Sequence, residues 1–276
     1  MTESSLFADL KERLLLQLQR DQLVLPSLPE VALQVQSLAA DPRSSLRQIA
    51  DALAADPAMA SQIIRLAQTL RYSHPTNPVT TLPIAVTRIG LQGTVNVALA
   101  LAMHQLFIFY SPEVCQLCRQ LQHKAIYISR FALTLCDELA PNHAQQAADF
   151  IMLASVLLDI GCLPLLAELD RQVMLNQTLP DSATLLRWCE ELRLPLGLAM
   201  LKRWQLDASF AELLPLVLTP NMAPASRALV LAHRYYGERL LHPPHLAELG
   251  SEQALHPLAE GEEQSKLLEW SHHQAA

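Results

Sequence analysis

Seven glycines in a chain of 276 residues cannot supply the tight turns of a many-stranded protein, and that scarcity limits the possible folds more than any other feature. Stretches alternating Val, Ile or Thr with polar residues are scarce too, while Ala, Leu and Gln are abundant. The 18 prolines stand mostly at segment edges, where they read as helix starts and stops. The expected fold class is all-α.

Helix starts follow one another through the first hundred residues. Ser27-Leu28-Pro29-Glu30 and Ser45-Leu46-Arg47-Gln48 each match a capping box, and Asp56-Pro57 sets an acceptor at an N-cap and a proline at N1. Apolar stripes at helical spacing come after each: Val31, Val35 and Leu38; Leu46, Ile49, Ala50 and Leu53; Met59, Ile63, Leu66 and Leu70. A fourth helix carrying Leu82, Ala85, Val86 and Ile89 is predicted to stop at a left-handed Gly90. A central fifth runs from Val95 through Leu106 to Phe109. Longer helices are predicted over 113–139 and 144–169, shorter ones over 183–192, 198–204, 210–218 and 226–240, and one over 265–270.

Charge is uneven along the chain. Residues 243–276 hold six Glu and one Lys, a balance of −5 within the total of −7. The rest, near −2, has no Lys/Arg run and no basic stripe interleaved with aromatics, so nucleic acid is not expected as a partner. Residues 1–20 form an amphipathic pattern containing Asp9, Lys11, Glu12 and Arg13 rather than a secretory signal. The apolar run 150–158 is too short to span a bilayer, so no membrane association is expected. Five cysteines, an odd number, suit free thiols in a reducing compartment, and the expected location is the cytoplasm.

Three segments together resemble the HDOD family of bacterial signalling domains, relatives of the HD and HD-GYP metal-dependent phosphohydrolases. The first is Leu25-Pro26-Ser27-Leu28-Pro29-Glu30-Val31. The second is the Asp-Pro helix from Asp56 to Ala67, followed by Ile84-Ala85-Val86-Thr87-Arg88-Ile89-Gly90-Leu91. The third is His123 with Val156-Leu157-Leu158-Asp159-Ile160-Gly161. The resemblance covers about residues 20–218 and implies a two-lobed helical domain whose second lobe is built like an HD hydrolase. The organisation it implies is an N-terminal helix (1–23), an HDOD domain (24–218), and a C-terminal helix with an acidic tail (219–276). Gln68-Thr69 stands where the family usually has Asn-Ser.

The chemistry of the HD hydrolases requires a first-helix His, an adjacent His-Asp pair and a further Asp, which hold divalent ions that activate water against a phosphate ester. By this resemblance His123 fills the first position and Asp159 the Asp of the pair, while Leu158 replaces its His. Leucine offers no lone pair to a cation. Histidines found further on in many members are missing at Leu196-Gly197 and Leu216-Val217-Leu218. The three positions therefore read as vestigial, with no catalytic residue, no metal and no cofactor expected. His123 and Asp159 are expected to form a hydrogen-bonded pair. Cys115-x-x-Cys118 with His123 lacks the second pair of a zinc site, and His242, His245, His256, His272 and His273 lie in polar or terminal sequence. Cys136, Cys162 and Cys189 read as small core hydrophobes.

The leading expectation is a non-catalytic signalling or regulatory protein that acts through a protein partner or a small ligand. Two alternatives stand beside it. One is a divergent metal-dependent phosphohydrolase with ligands such as His104, His143 or Glu168; the other is a small-ligand sensor using the pocket vacated by the metal.

Overall fold

Ser45, Asp56, Asp181 and Asp207 each accept, through the side chain, from the first free N–H groups of a helix. In the computed structural model, which describes residues 3–69, 78–139, 144–219 and 222–239, all regular structure among the described residues is helical. The α-helices are α1 (Glu3–Gln19), α2 (Glu30–Ala40), α3 (Leu46–Leu53), α4 (Pro57–Ala67), α5 (Leu82–Ile89), α6 (Leu91–His104), α7 (Pro112–Leu139), α8 (Ala144–Leu157), α9 (Leu163–Met174), α10 (Ser182–Arg203), α11 (Ala208–Leu213) and α12 (Pro224–Arg239). Ser45 and Gln48 close a capping box on α3, and Asp56 accepts from the Ala58 and Met59 amides, both at 3.0 Å, at the start of α4. Gly90 takes φ +86°, a conformation open to glycine, between α5 and α6.

Other boundaries differ from the sequence reading, each for a local reason. Ser27 does not cap α2; the first helical carbonyl is that of Pro29, which accepts from Ala32 and Leu33, and no side chain caps it. The fifth helix closes at His104 and does not reach Leu106 or Phe109. The two helices expected over 183–192 and 198–204 are one, α10, with Pro195 inside it, because Leu192, Leu196 and Met200, all fully buried, tie both sides of the proline to the core. The helix begun at Ala208 ends at Leu213, ahead of Pro215 and of Leu216 at φ +57°. The segment 265–270 lies outside the described residues.

Two compact units are formed by the chain. One comprises Ser27–Leu106 and Gln145–Leu153, with Ile49, Leu53, Met59, Ile63, Ala85, Val86, Ala98 and Met103 in its core. The other comprises Met1–Pro26, Phe107–Ala144 and Ala154–Ala276. Its core joins Leu10 and Leu14 of α1 to Leu117 and Leu121 of α7, Leu166 and Leu169 of α9, and Trp188, Leu192 and Leu196 of α10. Phe7 stacks on Trp188 with ring centroids 4.8 Å apart. Lys11 pairs with Glu191, and Arg13 with Glu168. Residues 147–174 are apolar enough over their length to cross a bilayer, yet most of that stretch is buried inside the protein, as in a core helix.

Candidate functional site

The site is built around an interruption that the sequence reading missed: the helix expected over 144–169 breaks after Leu157. Leu158 still donates to the Ala154 carbonyl, but Asp159 leaves the helical region at φ −109°, ψ 10°, and a single 3-10 turn (Ile160–Cys162) leads into α9. Two residues enforce the break. Pro164 has no N–H to continue the ladder, and Gly161 packs so closely on α10 that a Cβ there would fall on the Arg193 carbonyl. The carbonyl of Leu158, freed where α8 ends, accepts from Arg193 Nη1 at 3.3 Å; the same nitrogen donates to the Leu214 carbonyl at 2.9 Å.

That interruption holds the Asp159 carboxylate inside the protein, 3% exposed, facing α7, α10 and α12. Lys124 of α7 donates through Nζ to Asp159 Oδ1 at 3.1 Å and to Glu190 Oε1 of α10 at 2.8 Å. Arg193 Nε meets Glu190 Oε2 at 3.2 Å. His233 of α12 completes the group: one ligand atom each from Asp159, Glu190 and His233 lie within 4.8 Å of one another. Asp159 Oδ2 and His233 Nε2 are both buried without a hydrogen-bond partner among the described residues.

Each protonation state follows from this packing. Burial alone would lower the Lys124 pKa, but Asp159 and Glu190 together hold it well above the usual lysine value, so it is an ammonium. Burial would raise the Glu190 carboxyl; Lys124 and Arg193 overcome that and bring it down to about 2. Burial, helped by the positive charge of Lys124, lowers the His233 imidazole to about 3, so the ring is neutral. Tyr236, one turn beyond His233, is raised to about 12, mainly by burial.

Leu158 is fully buried. His123 is half-buried and does not pair with Asp159: its neighbour Lys124 does, since one residue along a helix turns the side chain by about 100°. Of the alternative ligands, neither Glu168 nor His104 is part of the cluster. Glu168 is paired with Arg13 and Arg171, His104 ends α6 in the other unit, and His143 lies outside the described residues, as do His242, His245, His256, His272 and His273. The Cys115 and Cys118 thiols each donate to a backbone carbonyl, of Phe109 and Phe107, and burial raises Cys118 to about 12. Cys136, Cys162 and Cys189 are buried free thiols. Glu190, Lys124 and His233 escaped the sequence reading, because no fixed spacing links three residues on three helices.

The residues as they stand do not fit a divalent ion. Two of the three possible ligands are held by the Lys124 ammonium, and Arg193 brings a second fixed positive charge against Glu190. Unit charges 4 Å apart at a partly buried site repel by about 4 kcal/mol, and a dication doubles that for each.

The sequence model of the HDOD domain matches residues 25–216. Among solved structures, a protein from Shewanella amazonensis described as a metal-dependent phosphohydrolase is 28% identical with TM-score 0.73, covering 92% of this chain and 93% of its own. An HDOD domain protein of unknown function from Geobacter sulfurreducens is 19% identical with TM-score 0.54, over 83% of this chain and 79% of its own. A protein from Marinobacter aquaeolei described as acting in signal transduction is 19% identical with TM-score 0.51, over 91% of this chain and 58% of its own. No curated protein matches the chain. The match over most of the length and the helical fold shared with these structures lead to one conclusion: the chain belongs to the HDOD domain family.

Proposed function

We propose that this HDOD protein is non-catalytic and acts in signal transduction through contacts with a partner protein in the cytoplasm. One observation carries the reading: the Lys124 ammonium lies 3.1 Å from Asp159 and 2.8 Å from Glu190, so the carboxylate that by resemblance matches the metal-binding Asp of the HD hydrolases already has a cation. The substitution at the pair's His position points the same way, since Leu158 is fully buried and offers nothing to a metal. His123, Leu158 and Asp159 are on this reading the remains of a hydrolytic site, with Asp159 reused, through Lys124, to tie the turn after α8 to α7 and α10. The buried free thiols agree with a reducing compartment.

The direct test is hydrolysis of phosphate mono- and diesters, cyclic dinucleotides included, by the purified protein supplied with magnesium, manganese, iron(II) or zinc. No metal-dependent turnover is expected; turnover lost on Asp159→Asn would overturn the proposal. A second reading, a divergent metal-dependent phosphohydrolase, is favoured by the three potential ligand atoms within 4.8 Å and by the likeness to the Shewanella protein described as a metal-dependent phosphohydrolase. It requires the ammonium to leave the cluster, and the same assay decides between the two.

A further inference from the structure

We infer that Lys124 is a built-in substitute for a metal ion, and that Asp159, Glu190 and His233 form a latent divalent-cation site which this one side chain keeps closed. This rests on the non-catalytic reading above and goes beyond it, because it assigns a new ligand set and names the residue that blocks it.

Charge and geometry carry the inference together. Asp159 and Glu190 bring two negative charges, Lys124 and Arg193 two positive ones, so the cluster is balanced with no ion added. Removing the ammonium leaves an excess negative charge beside a carboxylate that is 3% exposed and a buried neutral imidazole. Two atoms of these residues are buried without a hydrogen-bond partner among the described residues, Asp159 Oδ2 and His233 Nε2, and one ligand atom each of Asp159, Glu190 and His233 lie within 4.8 Å of one another. A carboxylate acceptor and an imidazole nitrogen, both desolvated and unsatisfied, are an uncommon pair in a protein interior. They are also the donor types that a first-row divalent ion takes. Glu190, through the oxygen released by Lys124, supplies a third. Three ligands, with positions left for water, make a competent cation site; oxygen donors with one imidazole suit manganese or zinc.

Arg193 does not close the site in the same way. Its Nη1 is committed to the Leu158 and Leu214 carbonyls, and only Nε reaches Glu190. The obstruction is therefore specific to Lys124, which touches both carboxylates.

The experiment compares the full-length protein with Lys124→Ala and Lys124→Met. Alanine opens space, whereas methionine keeps the length of the stem and removes only the charge. Each protein is equilibrated with manganese or zinc, desalted, and measured for bound metal and for its melting temperature with and without the ion. The expected result is no retained metal in the natural protein and one equivalent in both variants. A rise in melting temperature of several degrees, about 5 °C or more, should occur in the variants alone. Adding His233→Ala to either variant should abolish retention.

A natural protein that itself retains one equivalent would overturn the non-catalytic reading along with the inference. If natural protein and folded variants all retain none, the latent site is refuted and the non-catalytic reading survives. A variant that unfolds without metal should recover its helical signal when millimolar zinc is added. Failure of both variants to recover also refutes the latent site.

Discussion

At the scale of single residues, the cluster around Asp159 shows how a buried carboxylate is balanced inside a helical protein. It needs a counter-charge, and Lys124 on a facing helix supplies one. Removing only the charge, with Lys124→Met in metal-free buffer, should cost about 3–5 kcal/mol of stability, because Asp159 is then buried and unpaired. Chemical denaturation with a chelator present measures it, and a loss below about 1 kcal/mol would show that the pair does not hold the fold. His233 gives a pH signature. Its neutral ring in the folded protein, with a pKa near 3, becomes an ordinary histidine on unfolding, so below about pH 6.5 the unfolded chain binds a proton that the folded one refuses. Stability from this group is full above pH 6.5 and is lost as pH falls toward 3. Glu190 has the same sign over a lower range, from about 4.5 down to about 2, but its side chain is 44% exposed and solvent screens its share. His233→Gln should flatten the stability curve between pH 6.5 and 4, and an unchanged slope there would contradict the assignment.

At the scale of elements, what could be read from the sequence was what is local. Ser45 with Gln48, Asp56 with Pro57, and Gly90 set helix ends through groups within a few residues, and each does so in the structure. What could not be read depends on contacts distant in sequence. Gly161 breaks the helix only because α10 lies against it, and Pro195 is carried inside a helix only because Leu192, Leu196 and Met200 are buried around it. The site shows the same division. The loss of the pair's histidine at Leu158 is visible in a motif. The identity of the side chain facing Asp159 turned on one residue of register in α7, and periodicity does not resolve His123 from Lys124. The break also yields a test. Gly161→Ala puts a methyl group onto the Arg193 backbone, where no flexible side chain can give way, so it should destabilise by roughly 3 kcal/mol or more. Thermal melting checks this; a loss under about 1 kcal/mol would mean that α10 can move away from the turn.

At the scale of the whole molecule, the family fold holds a charge cluster that, on the proposed reading, stands where the HD relatives hold a metal. The HDOD match covers residues 25–216, and the break that presents Asp159 is in place, yet the position beside it is a buried leucine and the counter-charge is an ammonium. Restoring the pair's histidine should therefore not restore hydrolysis. Leu158→His is expected to lose about 1–3 kcal/mol by placing an imidazole at a fully buried position, and to remain inactive toward phosphate esters with manganese or zinc present. Metal-dependent turnover by that single variant would show that the site is one substitution from function. The central claim, that an ammonium and not a metal lies between Asp159 and Glu190, is tested most directly by anomalous diffraction from crystals of the natural protein soaked in zinc. No anomalous peak is expected in the cluster, with Lys124 Nζ within hydrogen-bond distance of both carboxylates. A peak bound by Asp159, Glu190 and His233 at about 2.0–2.2 Å, with the lysine turned away, would contradict it.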